Sequence, residues 1–116
     1  MSANNPTILV VDDEPSIVEA LQKVLSKESF EVLTASNGRQ ALELLRRQPI
    51  HAMITDLRMP HVDGLTLVKK IKAEQPEVEV IVMTAHGSVD SAVEAMKRGA
   101  RDYLTLNTAT QVLTLG

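Results

Sequence analysis

Three carboxylates hold most of the chemistry this sequence can offer. Asp12 and Asp13 follow the apolar run Thr7–Val11, and Asp56 follows the apolar run Ala52–Ile54 and Thr55. If the two runs are neighbouring strands, the three acids share one crevice. Like charges that close repel, and one of them takes up a proton unless a cation sits between them. Oxygen donors in a chain without cysteine suit a hard cation, Mg²⁺ before Zn²⁺. A carboxylate beside Mg²⁺ can attack a phosphoryl group and hold it as an aspartyl phosphate, the metal offsetting the repulsion between the two anions. Thr84 ends another apolar run, Val80–Met83, and could give its hydroxyl to a phosphoryl oxygen; Arg58 is placed to offer its backbone carbonyl to the metal. Taken singly, these residues have plainer readings: Asp56 as the cap of a turn, Thr84 as a strand-end hydroxyl bonded to local backbone. His51, His61 and His86 have no ligand spacing.

The elements that would position these residues follow from the apolar pattern. Residues 7–11 and 52–56 read as strands buried on both faces. Pro15 suits the first turn of a helix that runs to about Lys27 on Ile17, Leu21, Val24 and Leu25. Glu31 to Ala35 is a short strand, and Asn37 caps a helix whose buried side is Ala41, Leu42, Leu44 and Leu45. Pro49 stops that helix. Gly64 to Glu74 is helical through Leu65, Val68 and Ile71; Val80 to Met83 is a strand. Ser88 caps a helix carrying Val89, Ala92, Val93 and Met96, which Gly99 closes, and Asp102 to Thr105 is a fifth strand. Strands alternating with helices over short connections imply a parallel sheet covered on both faces, and right-handed crossovers make it doubly wound. In such α/β sheets ligands collect at the carboxyl ends of the strands, where all three acids fall.

Composition narrows the function classes. The 116 residues suffice for one domain, and with Phe30 and Tyr103 as the only aromatics the core is aliphatic. A net charge of -3 gives no electrostatic case for direct nucleic-acid binding. Residues 1–6 read as a flexible N-terminus without the basic and apolar regions of a signal peptide. No apolar run approaches the ~20 residues of a membrane span. The expectation is a soluble, cytoplasmic protein with no membrane contact.

Val10–Glu14, Thr55–Gly64, Val82–Ala85 and Gly99–Leu104 resemble, in order and spacing, the response-regulator receiver domain of bacterial two-component systems. The resemblance covers about residues 7–105. The segment from Gly87 to Tyr103 looks most like receivers of NtrC-type, sigma-54-dependent transcription activators. It implies a flavodoxin-like, doubly wound five-stranded parallel sheet of order 2-1-3-4-5. It also implies phosphotransfer from a sensor histidine kinase to Asp56, with Mg²⁺ held by Asp12, Asp13, Asp56 and the Arg58 carbonyl, and Thr84 and Tyr103 as a switch pair. Such a chain is a phosphoacceptor switch with slow self-phosphorylation and dephosphorylation, not a metabolic enzyme. An output domain that regulates transcription has no counterpart in these residues.

Two features depart from the family. Receivers carry a lysine, usually in a Lys-Pro pair, where this chain has Leu106-Asn107, and no Lys or Arg follows Arg101. A lysine there would be worth roughly 4 kcal/mol to a phosphoryl group at ~4 Å and a dielectric near 20, before desolvation. The tail, residues 106–116, offers a capping-box spacing at Thr108 and Gln111 and the apolar Val112, Leu113 and Leu115, so the last helix is expected to be truncated or altered to about two turns. A short last helix would bare aliphatic surface on the face it shares with the first helix, from which a homodimer is expected. The missing lysine also supports a different class of function, a degenerate receiver acting as a phosphorylation-independent protein-interaction module. Two other chemistries on similar sheets fit less well. Asp12-Asp13-Glu14 does not match the Asp-x-Asp of aspartate-nucleophile phosphatases, and acids after the first strand would repel the phosphate of a flavin mononucleotide.

Overall fold

In a computed structural model of the chain, residues 5–56, 64–85, 89–107 and 112–115 are described. The order is β1 (Thr7–Val11), α1 (Pro15–Lys27), β2 (Glu31–Ala35), α2 (Gly38–Arg47), β3 (Ala52–Asp56), α3 (Gly64–Glu74), β4 (Glu79–Ala85), α4 (Val89–Lys97), β5 (Asp102–Asn107) and β6 (Val112–Leu115). Five strands are parallel in the order 2-1-3-4-5, as expected of a flavodoxin-like sheet. β1 sits at the point where the chain reverses direction across the sheet, flanked by β2 and β3.

Alternation along the strands divides the core in two. Leu9, Val11, Met53, Val80 and Val82 point to one face, where α2 brings Ala41, Leu42 and Leu45, α3 brings Leu67, Val68 and Ile71, and α4 brings Ala95. Ile8, Val10, Ile54 and Met83 point to the other, against Leu21 of α1. Both sides are aliphatic, as two-sided parallel sheets require. At the amino ends of the strands, His51 ties β3 to β1 twice: its Nδ1 accepts the N–H of Thr7 at 3.0 Å, and its own N–H donates to the Thr7 carbonyl at 2.9 Å.

The C-terminal part differs from expectation. Val112–Leu115 is not a short last helix but a strand, paired antiparallel to β5 from Asn107↔Val112 to Leu104↔Leu115. Thr108 and Gln111, which suggested a helix cap, lie outside the described residues. The physical reason is local and tertiary together. A helix of two turns is marginal in water, Val112 and Thr114 favour extended backbone, and the edge of β5 offers hydrogen-bonding groups that a strand satisfies and a helix does not. The result is a six-stranded sheet with one antiparallel edge strand. On the α1 face, Ile8, Ile54 and Met83 are nevertheless buried, and Ile81 and Leu104 are half-buried, so the expected bare surface shrinks to a fringe.

α4 ends on Gly99 at φ +117°, a region that favours glycine. A Cβ there would meet Lys72 Cγ at 2.8 Å. Lys72 has little freedom to yield, since its Nζ donates to the carbonyls of Val78 (2.7 Å) and Pro76 (3.1 Å). Gly99→Ala is therefore expected to destabilise the fold by about 1–2 kcal/mol, the cost of a left-handed residue that carries a Cβ. A urea-unfolding midpoint equal to that of the unaltered protein would contradict this account of the turn.

Candidate functional site

The register of the sheet brings the acids together. Val11 of β1 lies opposite Thr55 of β3, so the next residues, Asp12 and Asp56, leave the carboxyl ends of adjacent strands side by side. Asp12 keeps its backbone in line by donating its N–H to the Ala35 carbonyl of β2 at 3.1 Å. Asp12, Asp13 and Asp56 each place a carboxylate oxygen within 4.8 Å of the others. Asp12 is buried at 1% exposure, Asp56 is half-buried and Asp13 is exposed, so the cluster runs from the core to the surface.

The two oxygens of Asp12 differ. Oδ1 accepts the N–H of Glu14 at 2.9 Å, a bond that turns the chain into α1. Glu14 is the N-cap of that helix and Pro15 opens it, with no side-chain cap. Oδ2 is buried with no hydrogen-bond partner among the described residues. A buried acceptor left unmatched costs about 1–3 kcal/mol, more when charged. Burial, first, and then the charges of Asp56 and Asp13 push the Asp12 carboxyl up to about 7, against the lowering effect of the Glu14 N–H. An unpartnered buried oxygen flanked by two further carboxylates is a donor set that a hard divalent cation fits, with all ligands oxygen.

Other sequence-derived candidates are placed less fully. Thr84 stands in β4 one residue past Met83, the partner of Asp56, so its backbone ends beside the cluster. Tyr103, opposite Val82 in β5, is half-buried and packs against the core on the α2, α3 and α4 face. Arg58 lies outside the described residues. Leu106 is in register, opposite Ala85 of β4 and Leu113 of β6, so β5 is not displaced by the altered tail. Sequence reasoning assigned no role to Ser36 and Gln40, which line a cleft of about 330 Å³ beside Asp12 and Asp13. Gln40 Oε1 accepts from both N–H and Oγ of Ser36, while Asn37 Oδ1 accepts the Gln40 N–H. The Asn37–Gln40 spacing was the available signal, since it is that of a helix-start motif.

The raised Asp12 value sets a pH dependence in metal-free protein. Between about pH 4 and 7 the folded state keeps a proton that the unfolded chain, with an ordinary value of 3.8, has released. Stability should therefore fall as pH rises through that window, by about 1.4 kcal/mol per pH unit, and level off above it. Asp12→Asn, which keeps an acceptor for the Glu14 N–H, should flatten the profile. Thermal melts in EDTA that show the same slope in both proteins would place the titration elsewhere.

Comparison with known proteins agrees with this geometry. Residues 8–114 match the family model of the response regulator receiver domain. The chain is 46% identical over 104 residues to the transcriptional regulatory protein ZraR of Escherichia coli K12, covering 90% of this chain and 24% of ZraR. It is 42% identical over 97 residues to the DNA-binding transcriptional regulator NtrC of the same organism, covering 84% of this chain and 21% of NtrC. The chain thus spans about a quarter of the length of these relatives. A crystal structure of a response regulator receiver domain protein from Clostridium thermocellum superposes with a TM-score of 0.82 at 38% identity, covering 91% of this chain and 86% of that one. With its family match over nearly the whole chain, its parallel sheet order and its strand-end acids, the chain belongs to the response-regulator receiver domains, among those most similar to the receivers of NtrC-type sigma-54 regulators.

Proposed function

We propose that this receiver accepts a phosphoryl group on Asp56 from the phosphohistidine of a sensor histidine kinase, and so acts as a phosphorylation-dependent signalling switch. The observation that carries the reading is the triad of Asp12, Asp13 and Asp56 with a buried Asp12 oxygen that has no partner among the described residues. A carboxylate oxygen of Asp56 attacks phosphorus; the new O–P bond forms as the N–P bond to the kinase histidine breaks, and the histidine leaves. Asp12, Asp13, Asp56 and the Arg58 carbonyl would hold Mg²⁺, which when bound offsets the negative charge gathered in the cleft. Asp12, held by the Glu14 N–H and set between β2 and β3, fixes the geometry of that cluster. Thr84 would donate its hydroxyl to the phosphoryl oxygen, and Tyr103 would respond by changing its packing against α4. Such a local event shifts a balance between two arrangements already present.

Among the described residues no helix is long and apolar enough to cross a membrane, which fits a cytoplasmic partner of the kinase. The relatives are named as transcription regulators, so the readout proposed for the full protein is transcriptional, through a further output domain. Incubation with acetyl phosphate and Mg²⁺ should add the mass of one phosphoryl group to the intact chain, and Asp56→Asn should abolish the gain. No mass gain in the unaltered protein would favour the second reading, a phosphorylation-independent interaction module, which the leucine at position 106 supports.

Leu106 sets the expected rate. It stands one residue beyond Thr105, the partner of Thr84, at the end of the sheet that carries the acids. A leucine cannot donate to the phosphoryl oxygens, so charge developing in transfer lacks a contact there. Leu106→Lys should raise the rate of labelling by acetyl phosphate on the order of tenfold, about 1.4 kcal/mol of barrier. An unchanged rate would show that this position does not limit the site.

A further inference from the structure

Asp12 holds its place through its backbone as well as its side chain. Its N–H donates to the Ala35 carbonyl at 3.1 Å, the rung that follows the pairing of Val11 with Ala35. Among the described residues β2 is the edge strand on that side of the sheet, and its residues from Glu31 to Thr34 are exposed or half-buried. The end of such a strand opens readily, because little buried contact holds it. Here the chain is tied immediately after the rung. Gln40 Oε1, in the first turn of α2, accepts the N–H of Ser36 at 2.8 Å and its Oγ at 2.9 Å. A backbone N–H can only donate, so the amide oxygen of Gln40, not its nitrogen, faces Ser36. The N–H of Gln40 itself donates to Asn37 Oδ1 at 2.9 Å. The helix that carries Gln40 is anchored in turn, with Gly38, Ala41 and Leu42 buried at its start.

We propose that Gln40 is a positioning residue of the acidic site, acting on Asp12 through Ser36 and the Ala35 carbonyl. A plain helix cap satisfies orphan N–H groups at the start of a helix, and Asn37 already does that for α2. In a capping box the glutamine side chain reaches back to the N–H of the cap residue itself. Gln40 reaches one residue further, to Ser36, which lies outside the helix and next to Ala35. Its two bonds therefore pass the rigidity of α2 to the end of β2, and from there to the backbone of Asp12. The same four residues, Asp12, Asp13, Ser36 and Gln40, line one cleft of about 330 Å³, so the tie sits beside the acids it steadies. Ligating groups have to be held to within about 0.5 Å of their working geometry by a supporting shell of bonds. The consequence for metal binding rests on the proposed reading of the three acids as a Mg²⁺ site; the tie between Gln40 and Asp12 does not.

Gln40→Ala removes the acceptor while giving α2 the best helix former, so helix propensity does not fall. Hydrogen exchange followed by NMR should show the Asp12 amide exchanging about tenfold faster relative to the amides of Leu9 and Val11, fully buried in the same strand. Asn37→Ala weakens the same helix start but leaves the Gln40 acceptor in place, and should shift all three amides together. Gln40→Glu keeps an oxygen for both Ser36 donors and should restore the Asp12 rate. In Gln40→Ala the Mg²⁺ dissociation constant, fitted from the rise of melting temperature with Mg²⁺, should increase about tenfold, the usual effect of losing a support behind a metal ligand. An unchanged exchange ratio in Gln40→Ala, an equal change in Asn37→Ala, or no rescue by Gln40→Glu would each overturn the proposal, as would a Mg²⁺ affinity that Gln40→Ala leaves unaltered. If Mg²⁺ does not move the melting temperature of the unaltered protein, the reading of the acids as a metal site falls, and the exchange ratio still decides the role of Gln40.

Discussion

The carboxyl end of this sheet is governed by the cost of burying the Asp12 carboxylate, to which two further acids beside it add. At about 4 Å and an effective dielectric near 20, two unit charges repel by roughly 4 kcal/mol. The compensating bond among the described residues, from the Glu14 N–H to Oδ1, is worth about 1.5–3 kcal/mol. Burial of the carboxylate, with that repulsion added to it, outweighs the bond, and the carboxyl responds by holding a proton up to about pH 7. The cluster does not stabilise the metal-free fold; the fold is stable in spite of it. What offsets the strain is the pair of strands beneath. Leu9, Val10, Val11, Met53 and Thr55 are all fully buried, so neither β1 nor β3 can shift to separate the acids without exposing core. A site with that stored repulsion gains most from whatever positive charge or proton enters it.

Much of this was legible in the sequence because its signals are local. The runs 7–11 and 52–56 are continuous rather than alternating, which marks strands covered on both sides, and both strands have the expected bounds. Pro15, Asn37 and Gly99 punctuate helices where they were expected to, through a fixed φ, an Oδ1 acceptor and a positive φ respectively. The gathering of Asp12, Asp13 and Asp56 followed from strand ends once β1 and β3 are neighbours, as they are. What could not be read was the difference between the two oxygens of Asp12. That depends on where Glu14 turns and how deeply Asp12 is covered, both products of tertiary packing. The wall formed by Ser36 and Gln40 was hidden for the same reason: its spacing advertises only a helix start.

The tail shows the opposite case, where local signals misled. Thr108 and Gln111 have the spacing of a helix cap, and the apolar residues after them fit a short helix as well as a short strand. Four residues cannot decide between the two by propensity, since the differences amount to tenths of a kcal/mol each. The decision falls to the edge of β5, whose backbone groups are available to a strand along Leu104–Asn107. A helix in that place would have covered the α1 side of the sheet; the strand lengthens the sheet instead and transfers the position of edge strand from β5 to β6 among the described residues.

That transfer links the two departures from the family pattern. β5 runs on to Asn107, and its last residues are held between β4 on one side and β6 on the other: Leu106 lies opposite Ala85 and opposite Leu113. Doubly paired backbone is fixed in register, and a slip by one residue would move each side chain to the other face. Positions 104, 106, 113 and 115 are all leucine, and the register pairs 104 with 115 and 106 with 113. Leu106 is therefore consistent with the strand-forming tail, and the two features are better understood as one arrangement. The leucine that stands where the family carries a lysine is also one of the residues that the register pairs across the β5–β6 hairpin.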